Sequence, residues 1–220
     1  MAKPVEAPRE GAPPVEEYLA ELFWREDPVL TELLADQRSR APMIHAGPDQ
    51  GRVLQILVRT VGARRVIEVG TLFGYSAIWM ARALPPGGRL DTVEFNPVHA
   101  EAAQTWAERA GVGDRVTVHR GAALDVLPTL TGTCDVFYMD AVKTEYVEYL
   151  DHALRLVRPG GLILADNLHW GGKVADPTVT DADTEGLRAY LRRIATDPRL
   201  DSTVLNAGDG LGLSLVLPPV

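Results

Sequence analysis

The amino-acid sequence predicts an α/β fold, with a mostly parallel sheet covered by helices on both faces and closed by a C-terminal antiparallel hairpin. Two observations predict it. From residue 64 to residue 165, short apolar runs alternate with helix-periodic segments, the pattern of a buried parallel sheet. Near the C-terminus, two apolar runs are separated by Ala207-Gly208-Asp209-Gly210, a Gly-rich turn of the kind that joins antiparallel strands.

The elements follow in order. Residues 1–14, rich in Pro, Ala and Glu, read as a flexible tail without the apolar core of a signal peptide. Residues 15–220 read as one domain, of which 15–62 form an N-terminal helical cap. Tyr18, Leu19, Leu22 and Phe23 recur at helical spacing, as do Val29, Leu30, Leu33 and Leu34 after Pro28. After Gly47-Pro48, Val53, Leu54, Leu57, Val58 and Val61 mark a third amphipathic helix. Strands are expected at 66–69, 90–95, 116–119, 135–139 and 162–165, with helices at 76–84, 98–110, 122–130 and 145–157 between them. Pro159-Gly160-Gly161 reads as the turn before the fifth strand. A helix over 183–195 then leads to strands at 202–205 and 211–217, which makes seven strands.

Composition narrows the function. The formal net charge is -8, which argues against nucleic acid as a partner without excluding a local basic patch. No apolar run approaches the roughly 18 residues that span a bilayer. The single Cys134 excludes an internal disulfide and reads as a small core residue. All this suits the cytoplasm.

In open parallel sheets, ligands bind beyond the carboxyl ends of the strands. The first strand ends in Glu68-Val69-Gly70-Thr71-Leu72-Phe73-Gly74-Tyr75-Ser76, whose glycines allow a tight turn and close approach to a ligand. Glu94 stands near the end of the second strand, where a carboxylate accepts from ribose hydroxyls. The plain alternative is a simple turn and a surface acid. The dinucleotide fingerprint G-x-G-x-x-G is absent, and Glu68 just before the loop is unfavourable to pyrophosphate. A cationic ligand without phosphate, such as S-adenosylmethionine, suits an acidic loop better.

Two further strand ends carry oxygen donors: Asp140, followed by Ala141-Val142-Lys143, and Asp166-Asn167. On neighbouring strands the three side chains would converge. Two carboxylates and an amide form a hard donor set suited to Mg²⁺, which keeps exchangeable positions open to both oxygens of a vicinal diol. No Cys/His cluster suggests zinc. Taken singly, Asp166-Asn167 is equally a loop start and Asp140 equally a helix N-cap. Lys143 is either a surface lysine or a base within reach of the substrate oxygen. Trp170 either walls a substrate pocket or packs its loop. The histidines are scattered, and His169 is the best placed of them.

Glu68-Val69-Gly70-Thr71 with Gly74-Tyr75-Ser76, Asp140 to Lys143, Arg158-Pro159-Gly160-Gly161 to Asp166-Asn167, and the late Gly208-Asp209-Gly210 resemble the cation-dependent O-methyltransferases over roughly residues 40 to 217. That family includes catechol and caffeoyl-CoA O-methyltransferases and many bacterial members. The resemblance implies the Rossmann-like class I methyltransferase fold. It implies that Asp140, Asp166 and Asn167 hold Mg²⁺ or another divalent cation such as Mn²⁺ or Ca²⁺. It implies that Lys143, beside Asp140, acts on the substrate hydroxyl. It implies that S-adenosylmethionine lies against Met43, Glu68, Gly70, Thr71, Ser76, Glu94, Ala122 and Asp140, and that the protein is a homodimer. The chain departs from many members at Val142, where they carry a second aspartate in an Asp-Ala-Asp-Lys run; the catechol enzyme has a bulky apolar residue there. Val142 and Trp170 are therefore expected to line an apolar pocket for a small aromatic diol. The rivals are a metal-independent methyltransferase, a tRNA-modifying relative and a cofactor-binding module without activity.

Overall fold

The structure is a computed structural model that describes residues 13–44 and 46–219. All but the end of the expected tail, and His45, lie outside the described residues. Three helices come first: α1 (Val15–Phe23), α2 (Pro28–Arg40) and α3 (Pro48–Thr60). The alternating part runs β1 (Arg65–Val69), α4 (Tyr75–Ala81), β2 (Arg89–Glu94), α5 (Pro97–Arg109), β3 (Val116–Arg120), α6 (Ala123–Val126), β4 (Cys134–Met139), α7 (Tyr146–Leu156) and β5 (Val157–Ala165). It closes with α8 (Ala182–Thr196), β6 (Leu200–Leu205) and β7 (Leu211–Val216).

The seven strands form one sheet in the order β3-β2-β1-β4-β5-β7-β6. β1 pairs in parallel with both β2 and β4, so strand order reverses beside it. β7 runs antiparallel between β5 and β6, so the hairpin folds back and leaves β6 on the edge. The two faces of the sheet carry separate apolar clusters. One holds Leu54, Val58, Ile78 and Trp106 against Val66 and Tyr138. The other holds Tyr146, Leu150, Leu187 and Tyr190 against Ile67, Phe137 and Ile163. Leu30 and Leu33 of α2 join the first cluster, so α2 and α3 share the sheet's own core, whereas α1 buries none of its residues.

Local chemistry explains the boundaries. Pro28, Pro48 and Pro97 each open a helix, where a missing N–H costs nothing. Asp27 and Asn96 cap their helices by accepting from Leu30 and Val98. Three expectations shift. The helix expected over 122–130 breaks at Pro128 into α6 and a 3₁₀ turn, Leu127–Thr129. The helix expected from Glu145 begins at Tyr146, after a 3₁₀ turn at Lys143–Glu145. Pro159-Gly160-Gly161 lies inside β5 and not before it: the β4–β5 register jumps from Cys134↔Val157 to Val136↔Leu162, so residues 158–161 bulge out of the ladder.

Candidate active site

The carboxyl ends of β1, β2, β4 and β5 open into one cavity of about 910 Å³. The backbone sets the strand ends side by side. Gly70 N–H donates to Val93 O (3.0 Å), Asp140 N–H to Val69 O (2.8 Å) and Asp166 N–H to Met139 O (3.0 Å). Gly70 has φ 90°, and a Cβ there would overlap the Asp140 carbonyl oxygen. Only glycine lets the β1 loop lie against the β4 loop this closely.

Asp140, Asp166 and Asn167 all line this cavity. Asp166 is buried, its Oδ2 accepting from Tyr138 Oη (3.1 Å) and its Oδ1 from Asn167 N–H (2.6 Å). Burial pushes its carboxyl up to about 6, and the neighbouring Asp140 charge adds to the rise. Asn167 holds φ 62°, the left-handed region that few side chains adopt and that is concentrated at functional sites. Lys143 is buried, not a surface lysine; its Nζ donates to Asp140 Oδ1 (2.8 Å) and Tyr146 Oη (2.8 Å). Its ammonium lies 4.9 Å from the Tyr146 ring centroid and 5.8 Å from that of Trp170. Val142, half exposed, and Trp170 line the same end. Among the described residues, no group of three or more His, Cys, Asp or Glu is arranged to hold a metal, so this cluster depends on the Asn167 amide beside two carboxylates.

The β1 end of the cavity is lined by Gly70, Thr71, Ser76, Glu94 and Ala122. Glu94 ties the loop together. Its Oε2 accepts from Thr71 N–H (3.2 Å) and Leu72 N–H (2.8 Å), and its Oε1 from Asn96 N–H (2.8 Å).

Two expected neighbours of the cavity sit elsewhere. Met43 is not on its wall; Pro42, Ile44 and Ala46, around it, are. Glu68 is fully buried one layer behind, accepting from Ser76 Oγ (2.6 Å) and Thr92 Oγ1 (2.6 Å), and reaches the cavity only through Ser76. The Thr92 hydroxyl also bonds that of Thr71. Burial raises the Glu68 pKa from 4.5 to about 7, partly offset by the Ser76 and Thr92 bonds. Between those values the folded protein keeps a proton that the unfolded chain has released. The resulting stability is complete below pH 4.5 and lost as pH rises to about 7, about 3 kcal/mol over the window. Thermal melts at pH 5 and pH 7.5 should therefore show a steeper fall for the wild type than for Glu68→Gln, which cannot titrate. Parallel melts would show that Glu68 keeps its ordinary carboxylate pKa.

Sequence reasoning missed Tyr138 and Tyr146. Both are fully buried, with hydroxyls pushed well above 10 by burial and by the Asp140 and Asp166 charges. Tyr146 Oη lies within bonding distance of Met139 O (3.3 Å) and Asp166 O (3.2 Å), which fixes the seat of Lys143. The available signal was a hydroxyl in the apolar run 136–139 of β4, Tyr138, two residues before Asp140 and so on the same side of the strand.

Comparisons with known proteins show the family. Residues 20–217 match the family model for O-methyltransferases. A catechol O-methyltransferase of Niastella koreensis is 41% identical over 214 residues, which cover 92% of this chain and 96% of that one. A catechol O-methyltransferase of Mycobacterium tuberculosis is 40% identical, covering 93% and 96%. Among solved structures, the O-methyltransferase TomG of Streptomyces achromogenes, involved in tomaymycin synthesis and crystallised with SAM, matches with a TM-score of 0.88 at 38% identity, covering 93% of this chain and 96% of that one. An O-methyltransferase of Bacillus cereus in complex with SAH matches with a TM-score of 0.87 at 37% identity, covering 92% and 96%. With the family match running from within α1 to just past β7, and relatives this similar over almost their entire length, the chain belongs to the O-methyltransferase family.

Proposed function

We propose that the protein uses S-adenosylmethionine and Mg²⁺ to methylate one of two adjacent hydroxyls on a small aromatic molecule. One observation carries the reading: Asp140, Asp166 and Asn167, at the ends of neighbouring strands, share a single cavity with Lys143 and the β1 loop. The names of the two catechol O-methyltransferase relatives point to the same acceptor class.

The residues fit both groups. Two carboxylates and an amide are hard oxygen donors, and the Asp140 charge that raises the Asp166 pKa is the repulsion a divalent cation relieves. At the β1 end, Ser76 and Glu94 offer polar contacts beside the open backbone of Gly70. Among the described residues, Lys143 is the one Lys or Arg on the wall, whereas Glu94, Asp140, Glu145, Asp166 and Asp183 are acids. That lining favours a cationic cofactor and opposes a polyanionic acceptor such as RNA.

When bound, S-adenosylmethionine supplies an electrophilic methyl group, and a divalent cation makes a coordinated hydroxyl more acidic. Asp140, Asp166 and Asn167 would hold the ion. Lys143, steadied by Tyr146, would take the hydroxyl proton as its neutral amine, after giving up its own ammonium proton to solvent. Val142 and Trp170 form the apolar side of the acceptor slot and exclude water. The protein's contribution is thus orientation and proton handling.

The test compares a catechol with its matching monophenol at saturating cofactor and Mg²⁺, with and without a chelator. The monophenol loses the second anchoring oxygen, so its kcat/KM should fall by about 100-fold or more. The chelator should abolish turnover of the catechol. Equal kcat/KM for the two acceptors would overturn vicinal binding, and chelator-resistant turnover would overturn the metal.

A further inference from the structure

The turn between β6 and β7 has no role in the chemistry above, yet it grips the acceptor side of the cavity. Leu168 N–H donates to Gly210 O (2.9 Å) and His169 N–H to Asp209 O (2.8 Å). Gly171 N–H faces the Asp209 carboxylate, 3.0 Å from Oδ1 and 3.2 Å from Oδ2. Gly210 passes so close that a Cβ there would lie 2.6 Å from the His169 ring.

The segment held this way is one that would not hold itself. Asn167 and Trp170 have φ 62° and 50°, in the left-handed region; Asn tolerates it, but a bulky residue such as Trp170 keeps it only where surrounding contacts over-determine it. The turn has its own anchor: Gly208 N–H donates to Asp49 Oδ2 (3.1 Å) at the start of α3. The next residue, Gln50, donates through Nε2 to Tyr138 Oη (3.4 Å), and Tyr138 donates to Asp166. At its far end the acceptor segment is gathered by Arg188 of α8, which donates to the carbonyls of Lys173, Val174 and Val179.

We propose that the β6–β7 turn is a brace for the acceptor side of the site and that Asp209 is its positioning residue, fixing the Gly171 N–H so that Asn167 and Trp170 stay aimed into the cavity. The proposal rests on the assignment of Asn167 to the metal and Trp170 to the acceptor wall.

The test compares Asp209→Ala and Asp209→Asn with the wild type. It measures Mn²⁺ binding by calorimetry, amide exchange of peptides spanning residues 167–172, acceptor KM, S-adenosylhomocysteine affinity and Tm. Asp209→Ala should bind Mn²⁺ about 10- to 100-fold more weakly, as when a residue supporting a ligand is lost. Its acceptor KM should rise, its 167–172 amides should exchange faster, and its cofactor affinity should not change. Asp209→Asn keeps an oxygen that accepts from Gly171 and should restore all three. The brace is overturned if exchange over 167–172 and acceptor KM are unchanged in Asp209→Ala. It is equally overturned if cofactor affinity and Tm fall in step with acceptor binding, or if Asp209→Asn behaves like Asp209→Ala. If the wild type takes up no Mn²⁺, the metal assignment fails by itself, and the exchange and KM measurements still decide the brace.

Discussion

Asp140→Ala is expected to cost about a thousandfold in methyl transfer, the equivalent of roughly 4 kcal/mol of lost charge stabilisation at the reacting oxygen. Asp140 supplies one of two carboxylates in the proposed metal site and is also the ion-pair partner of Lys143. Its loss leaves an isolated ammonium where a cation is to bind, so metal affinity and turnover fall together. Asp166→Ala should be as inactive, but it also strands the buried Tyr138 hydroxyl without its acceptor, costing about 1–3 kcal/mol of stability. Asp140, being partly exposed, is the cleaner probe. Asn167→Ala keeps both charged ligands and should be the variant that excess Mg²⁺ rescues best. Turnover of a catechol across a Mg²⁺ titration, with melting curves alongside, separates these cases. Near wild-type turnover by Asp140→Ala at saturating Mg²⁺ would refute the site.

Lys143→Ala should lower kcat by about 10²- to 10⁴-fold, the range for loss of a positioned base. Cofactor affinity should hold, because Lys143 lies at the acceptor end. The fold should hold as well: Tyr146 keeps Met139 O and Asp166 O within reach after the lysine is gone. Raising the pH should restore part of the lost rate as solvent hydroxide takes over the proton. A variant with wild-type kcat near neutral pH would make the lysine a bystander.

The strand ends were legible because apolar runs stop abruptly at oxygen-bearing residues, and a parallel sheet brings such stops together. That logic reaches Asp140, Asp166, Asn167 and Glu94, which all line the cavity. It fails for Glu68, because β1 is buried on both faces and alternation therefore says nothing about where its one acid points. Met43 came from the family resemblance and not from the strand ends, and it is not among the residues lining the cavity. The left-handed turn at Trp170 was invisible for another reason. Trp is not a turn residue, and its conformation is imposed by bonds to Asp209 and Gly210, far along the chain. The family resemblance gave the Gly208-Asp209-Gly210 motif without giving its use.

The insertion of β7 between β5 and β6 has a consequence for how the molecule is made. β7 completes the hydrogen-bonding ladder of a strand synthesised well before it, Leu162–Ala165 waiting for Gly212–Leu215. Until then β5 presents an open, apolar edge, the kind of surface that recruits strands from other chains. Pairing across such a separation in sequence is also slow to form. Nascent chains therefore pass through an adhesive stage that ends only once the β7 residues have left the ribosome. A chain cut short before Leu211 never leaves that stage, and its fate is to aggregate instead of persisting as an inactive monomer.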